Sequence, residues 1–271
     1  MKIKRAKSIL VKVLSTTLIR IKMGRGMKKT LILAIVFVCL SLVNGLDEEA
    51  VNENDIKQYQ DCGAARKLGG YQKSGVYKLW MNTTKTYFKI ICEHTPNNSF
   101  NVIQRRVDGR ENFNRLWHDY VAGFGSSQAD YWAGLNSIYY LTNHQGNSIL
   151  TVNLQDWAGI NKNARYNYFK LMDSTHFRLS IGGYSGDTGD SMSQNNNMVF
   201  ATPDKLDTHR CAAGYQGGWW FNYCTYAFLN GKYYYGGPYQ PSGQFYDGIY
   251  WYSWGGYGYS MKFAQMMLSS S

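Results

Sequence analysis

Three short runs in which apolar residues, β-branched and aromatic above all, are broken by single or paired polar ones open the regular part of the chain. Gly75-Val-Tyr-Lys-Leu-Trp80 and Thr86-Tyr-Phe-Lys-Ile-Ile-Cys92 are rich in β-branched and aromatic residues and flank Asn82-Thr83-Thr84. That order predicts a hairpin. Phe100-Asn-Val-Ile-Gln-Arg-Arg-Val107 continues as a third strand and stops at Asp108-Gly109. The period then changes. Leu116, Trp117, Tyr120, Val121 and Phe124 recur at helical spacing, and Gly123 and Gly125 supply the stop. An aromatic turn, Asp130-Tyr131-Trp132-Ala-Gly134-Leu135-Asn136, precedes a short helix over 138–142. Strand patterns return at 148–154, 166–172 and 177–181, before a polar stretch at 182–197 that reads as a long surface loop. Beyond Met198 periodicity fades until 259–267, whose alternation suits a strand returning to a central sheet.

Within the irregular part, Cys211 and Cys224 bracket Gly217-Gly218-Trp219-Trp220 and lead into Leu229-Asn230-Gly231. A cross-link closing so short a loop restricts the unfolded chain by about 3 kcal/mol. The two tryptophans offer large rigid faces with one N–H each, suited to a sub-core or a recognition surface. Core plus staple is the simpler reading for Trp219 and Trp220, so function rests on the smaller residues around them.

Charge changes the picture only at one end. The formal charge is +11, but ten of the 29 Lys and Arg residues fall within residues 1–45, which hold no acid. The remaining 19 bases face 18 acids. A nucleic-acid partner then has no electrostatic footprint. Met27-Lys28-Lys29, an apolar run over 31–43, Asn44-Gly45 and acidic 47–49 make a signal peptide over 27–45, with cleavage after Gly45. The run is shorter than the ~18–20 residues that span a bilayer, so the mature form has no membrane span. Residues 1–26 are an upstream extension, with Met27 as the working start. The alternative is a type II signal anchor with a basic cytoplasmic tail. Residues 46–60 are polar, without heptads or Gly-X-Y repeats, and read as a short tether to the domain at 61–268.

Cys39 leaves with the leader, so four cysteines remain: 62, 92, 211 and 224. Four allow three pairings and the sequence alone does not choose, although pairing of neighbours is simplest. Asn82-Thr83-Thr84 and Asn97-Asn98-Ser99 are glycosylation acceptors at Asn82 and Asn97, as a secreted glycoprotein would carry.

Over 61–268 the chain resembles a fibrinogen C-terminal-like domain, the module of ficolins, tachylectin-type lectins and angiopoietin-like ligands. The likeness rests on ordered motifs: Asp61-Cys62-Gly63, Val102-Ile-Gln-Arg-Arg-Val-Asp-Gly109, Phe113 to Tyr120 with Gly123-Phe-Gly125, Tyr131-Trp-Ala-Gly-Leu-Asn136, Asn195-Asn-Asn197, the 211–231 segment, Asp247-Gly248-Ile249 and Trp251. It implies an α+β fold in three parts: a disulfide hairpin at 61–100, a central mixed sheet with short helices at 101–197, and a loop-rich pocket region at 198–268. It also implies disulfides Cys62–Cys92 and Cys211–Cys224, and a cis bond between Tyr223 and Cys224.

The lectin members of that family hold Ca²⁺ beside an aromatic cavity for N-acetyl groups. Calcium takes six to eight oxygens. Here Asp204 and Asp207 are the candidate metal ligands, but Leu206 stands where the family's second aspartate falls and the loop to Cys211 is shorter. For the cavity, the resemblance assigns Tyr215, Thr225, Phe245, Tyr246 and Tyr257 as lining, with Trp219, Trp220 and Tyr223 in support. Thr225 replaces the histidine common in lectins, and Phe245-Tyr246 replaces Tyr-Ala.

The resemblance implies a secreted lectin-like protein of innate-immune type that binds acetylated glycans. The alternative is an extracellular protein–protein ligand of fibrinogen-like or angiopoietin-like type, independent of calcium and sugar. Partners are glycans or cell-surface proteins, with oligomers allowed and nucleic acid excluded. Catalysis is not expected: the histidines lack metal spacing, and no nucleophile elbow or phosphate loop is present.

Overall fold

The computed structural model describes residues 58–144, 148–241 and 243–270; the upstream stretch, the leader and most of the tether lie outside the described residues. Helix α1 (Cys62–Gly69) starts on Asp61, whose Oδ1 accepts the Ala64 N–H at 2.7 Å, and ends at Gly70 in the left-handed region. Strands β1 (Gly75–Met81), β2 (Thr86–His94) and β3 (Ser99–Arg106) follow as antiparallel neighbours. Helix α2 (Trp117–Ala122), the two-residue strands β4 (Phe124–Gly125) and β5 (Tyr131–Trp132), and helix α3 (Leu135–His144) come next. Strands β6 (Ser148–Gln155), β7 (Asn161–Leu171) and β8 (Leu179–Gly186) precede the irregular part. That part holds α4 (Cys211–Tyr215), β9 (Ala227–Phe228), β10 (Tyr250–Trp251) and α5 (Tyr252–Gly255), and the described chain closes with β11 (Phe263–Ser270).

The main sheet runs β1-β2-β3-β11-β6-β7-β8, with β5 joining β3 to β4. The closing strand therefore sits at the centre, between β3 and β6. The fold is α+β. β6 shows why its alternation is so legible: Ser148, Leu150, Val152 and Leu154 turn inward and the residues between them outward. Several strand bounds shift, and β7 begins at Asn161 rather than 166 and β8 at Leu179 rather than 177. The polar stretch after 181 continues as strand to Gly186, because β7 supplies backbone partners as far as Ala164↔Gly186. β11 begins at Phe263 rather than 259, since Tyr259 is drawn into a bridge with Pro238.

Disulfides join Cys62 to Cys92 and Cys211 to Cys224, with Cα–Cα separations of 5.4 and 5.6 Å. Asn82 and Asn97 lie exposed in the turns at the two ends of β2.

The irregular part is tied to the sheet by a charged residue sealed from water. Arg106 on β3 donates through Nε to Asp130 Oδ2 at 3.0 Å, and through Nη1 to the carbonyls of Leu229 (3.2 Å) and Gly231. Its guanidinium lies 3.9 Å from the centroid of Phe113. Both members of the ion pair are buried. Burial depresses the Arg106 pKa while Asp130 pulls it back up. Gln104 Nε2 reaches the Leu229 carbonyl at 2.8 Å and Asn230 Oδ1 at 3.2 Å, and Asn230 Nδ2 passes the connection to Gly218 O at 2.9 Å. Gly231 admits no side chain, for an added Cβ would lie 2.1 Å from Gly248 O. These contacts account for the Leu229-Asn230-Gly231 motif.

Removing one member of such a pair strands its partner's charge. Asp130→Ala should therefore lower unfolding free energy by about 3–5 kcal/mol. Urea denaturation followed by tryptophan fluorescence reads this; a midpoint within error of wild type would contradict it.

Candidate functional site

The Cys211–Cys224 cross-link holds the candidate site together, and the sequence around it explains the local geometry. Asp207 turns back on α4: Oδ1 accepts the Ala212 N–H at 3.0 Å and Oδ2 the Ala213 N–H at 2.8 Å. Asp204 Oδ1 accepts the Trp117 N–H at 2.9 Å and the Thr202 hydroxyl at 2.7 Å. The two carboxylates thus serve the backbone and a neighbouring hydroxyl rather than converging on one point. Leu206 between them adopts a left-handed conformation and lines a groove of about 220 Å³ with Met198, Phe221, Arg178 and His209. Among the described residues no three His, Cys, Asp or Glu side chains gather into a metal cluster. With two carboxylates diverted and an apolar side chain in the loop, this donor set does not fit a six- to eight-oxygen calcium site.

The aromatic residues divide into a filled interior and an exposed surface. Tyr215 is buried, its ring centroid 5.6, 5.4 and 5.2 Å from those of Phe221, Phe228 and Phe245. Phe245 also lies against Gly214, where a Cβ would meet its ring at 2.5 Å. Two of the rings expected to line a hollow, Tyr215 and Phe245, thus pack on each other. Thr225 does not line a surface. It is buried, its hydroxyl donating to Ala227 O at 2.7 Å and accepting from Asn195 Nδ2 at 2.9 Å. Trp219 and Trp220 are fully buried, and Trp220 Nε1 donates to Phe177 O at 2.9 Å, so both belong to the core.

Outside, Tyr223, Tyr226, Tyr246 and Tyr252 are 81, 42, 43 and 46% exposed. Tyr257 connects three of them, with ring centroids 6.4 Å from Tyr226, 6.2 Å from Tyr246 and 4.5 Å from Tyr252. Tyr226 and Tyr252 also stack on each other at 5.1 Å. Tyr223 stands apart beside His209, and its bond to Cys224 is cis. Sequence reasoning missed Tyr226 and Tyr252. The only signal was the density of aromatics in this region, which does not tell an outward ring from an inward one. Asp247 is buried and accepts from the Tyr234 hydroxyl at 2.9 Å.

Burial pushes the phenols of Tyr215, Tyr250 and Tyr257 upward in pKa, so they stay neutral hydrogen-bonding groups well above physiological pH. Residues 58–271 match the family described as fibrinogen beta and gamma chains, C-terminal globular domain. The chain belongs to that family. It is 39% identical over 224 residues to human angiopoietin-related protein 6, covering 81% of this chain and 46% of that protein. It is 38% identical over 230 residues to fibrinogen-like protein 1 of Mesocricetus auratus, covering 78% of this chain and 72% of the relative. Its structure is similar to the fibrinogen-like globe domain of human ANGPTL6, with a TM-score of 0.73, 38% identity, and coverage of 79% and 96%. The chain spans about half the length of angiopoietin-related protein 6.

The raised phenols set a direction for alkaline pH. Their stabilising contribution is complete below the unfolded tyrosine pKa of ~10 and is lost as pH rises through the higher folded values. Ultraviolet titration should show a delayed class of tyrosines that ionise only as the domain unfolds. Ionisation of every tyrosine in one step near pH ~10, with the fold intact, would contradict this.

Proposed function

We propose that this chain is an extracellular protein–protein ligand of the fibrinogen-like and angiopoietin-like kind, which engages its partner through the exposed tyrosines around Tyr257 without calcium or an acetylated sugar. The observation that carries this reading is the division of the aromatics, with Phe245 seated against Tyr215 and Gly214 while Tyr226, Tyr246 and Tyr252 face outward. Tyrosine is enriched at protein interfaces because it brings large contact area, a polar tip and little rotamer entropy. Two disulfides support an oxidising compartment. The likeness to angiopoietin-related and fibrinogen-like proteins favours this reading over a lectin. The reading includes no catalytic step.

The test combines a variant with a sugar control. Tyr226→Ala/Tyr252→Ala should weaken binding to partner-bearing cells at least tenfold, read by flow cytometry, as loss of interface anchors does. The melting temperature should hardly move, since both rings are partly exposed. The wild-type protein should pass through N-acetylglucosamine resin unretained, and neither calcium nor EDTA should shift its melting temperature. Retention on that resin with release by free sugar or EDTA would restore the lectin reading.

A further inference from the structure

The β1–β2 hairpin carries a charge arrangement that the fold leaves unused. Antiparallel register sets Lys78 directly opposite Lys89, and Trp80 opposite Tyr87. Leu79, Met81, Ile90 and Cys92 are buried, whereas Val76, Lys78 and Lys89 are exposed. Lys85 sits exposed in the connecting turn. Like charges facing each other across a strand pair repel. Among the described residues no carboxylate lies within ion-pair distance of Lys78, Lys85 or Lys89. Glu93, the acid on these two strands, is committed to Arg105 at 3.1 Å and Gln265 at 2.8 Å. Lys78 Nζ instead lies 4.7 Å from the centroid of Tyr87, whose ring packs edge-on with Trp80 at 4.7 Å.

We propose that this outward face binds a sulfated polysaccharide of the glycosaminoglycan class, through Lys78, Lys85 and Lys89 with the Trp80–Tyr87 pair as a platform. The assignment rests on the extracellular reading above but not on the tyrosine surface. A linear polyanion resolves the repulsion, because one chain of sulfates serves both facing ammonium groups at once. The half-buried aromatic pair, its two rings edge-on, leaves apolar edges for sugar rings between the charged contacts. The bases and acids beyond residue 45 nearly balance, so a polyanion is held by a local cluster such as this one rather than by the net charge of the domain. A membrane surface fits less well: Trp80 is half-buried and packed against Tyr87, leaving Val76 as the exposed apolar side chain on the two strands' outer face.

Heparin is the probe, used with the secreted full chain in solution and on resin over a series of salt concentrations. Wild type should be retained at physiological salt and lose retention on chemically desulfated heparin. Lys78→Gln/Lys89→Gln should weaken heparin binding at least tenfold and reduce the salt slope by about two, one for each charge removed. Lys67→Gln, at an exposed lysine on α1, should change neither quantity. The double variant should melt no lower than wild type, since the substitution relieves repulsion, and this separates lost binding from lost folding. Equal elution of double variant and wild type would overturn the proposal. So would wild type passing through heparin at physiological salt, or binding phosphatidylserine vesicles but not heparin. Heparin binding that survives Tyr226→Ala/Tyr252→Ala supports two separate surfaces, whatever the fate of the partner-binding reading.

Discussion

A guanidinium shut away from water decides how this domain is built. Arg106 must find acceptors for its donors because a buried charge left bare costs several kcal/mol. Asp130 neutralises it, and the carbonyls of Leu229 and Gly231 take two further bonds. Asp130 in turn accepts the backbone N–H groups of Val107 and Asp108 where β3 ends. One ion pair therefore closes a strand terminus, holds the turn before β5 and pins a loop more than a hundred residues away. Coulombic gain is not the useful consequence. Such a pair is satisfied in one geometry and penalised in others, so it fixes where the irregular part sits.

That irregular part has little regular hydrogen bonding of its own, with β9 and β10 only two residues each. Its buried backbone groups are satisfied by scattered backbone bridges and by side chains. Asn195 Nδ2 donates to Trp220 O, Asn230 Nδ2 to Gly218 O, and Trp251 Nε1 to Gly189 O. The amides and indoles that stand out in the sequence are largely occupied in this way. Asp207 belongs with them, spending both oxygens on the start of α4. A loop that resembles a calcium site in outline is held here by an aspartate directed at backbone.

How much of this could be read from the chain depended on how local the deciding force was. β6 was legible because alternation along a single strand reports its buried face, and β1, β2 and β3 because β-branched and aromatic residues crowd runs bounded by turn residues. Helix α1 was not. Cys-Gly-Ala-Ala-Arg-Lys-Leu-Gly is short and holds two glycines, and its start is set by the Asp61 cap and the bond to Cys92. β8 extended into a stretch of Gly and Ser whose propensity argues for loop, because its partner strand overrode composition. Tyr215, Phe245, Tyr246 and Tyr257 were recognisable as an aromatic group, yet their sequence held no sign that Phe245 would pack on Tyr215 and Gly214 while Tyr246 faces outward. Tyr250 and Tyr252 differ by two positions, and one is buried while the other is exposed. A two-residue strand followed at once by a four-residue helix leaves no period from which to tell them apart.

The proposed assignments place unlike physics on different elements. Charge acts over a Debye length and falls steeply with salt, so a lysine strip of the kind proposed would act on retention and on the rate of arrival. Uncharged tyrosines act at contact and slow departure once the partner is seated. Combining both in one patch would burden the partner interface with desolvating ammonium groups, at a cost that complementary anions must offset. Lys78 and Lys89 face each other on the β1–β2 pair, while Tyr226 lies three residues before Leu229, whose carbonyl Arg106 holds, and stacks on Tyr252 of α5. On the proposed reading the buried ion pair helps to present Tyr226, because Arg106 fixes the Leu229 carbonyl that follows it.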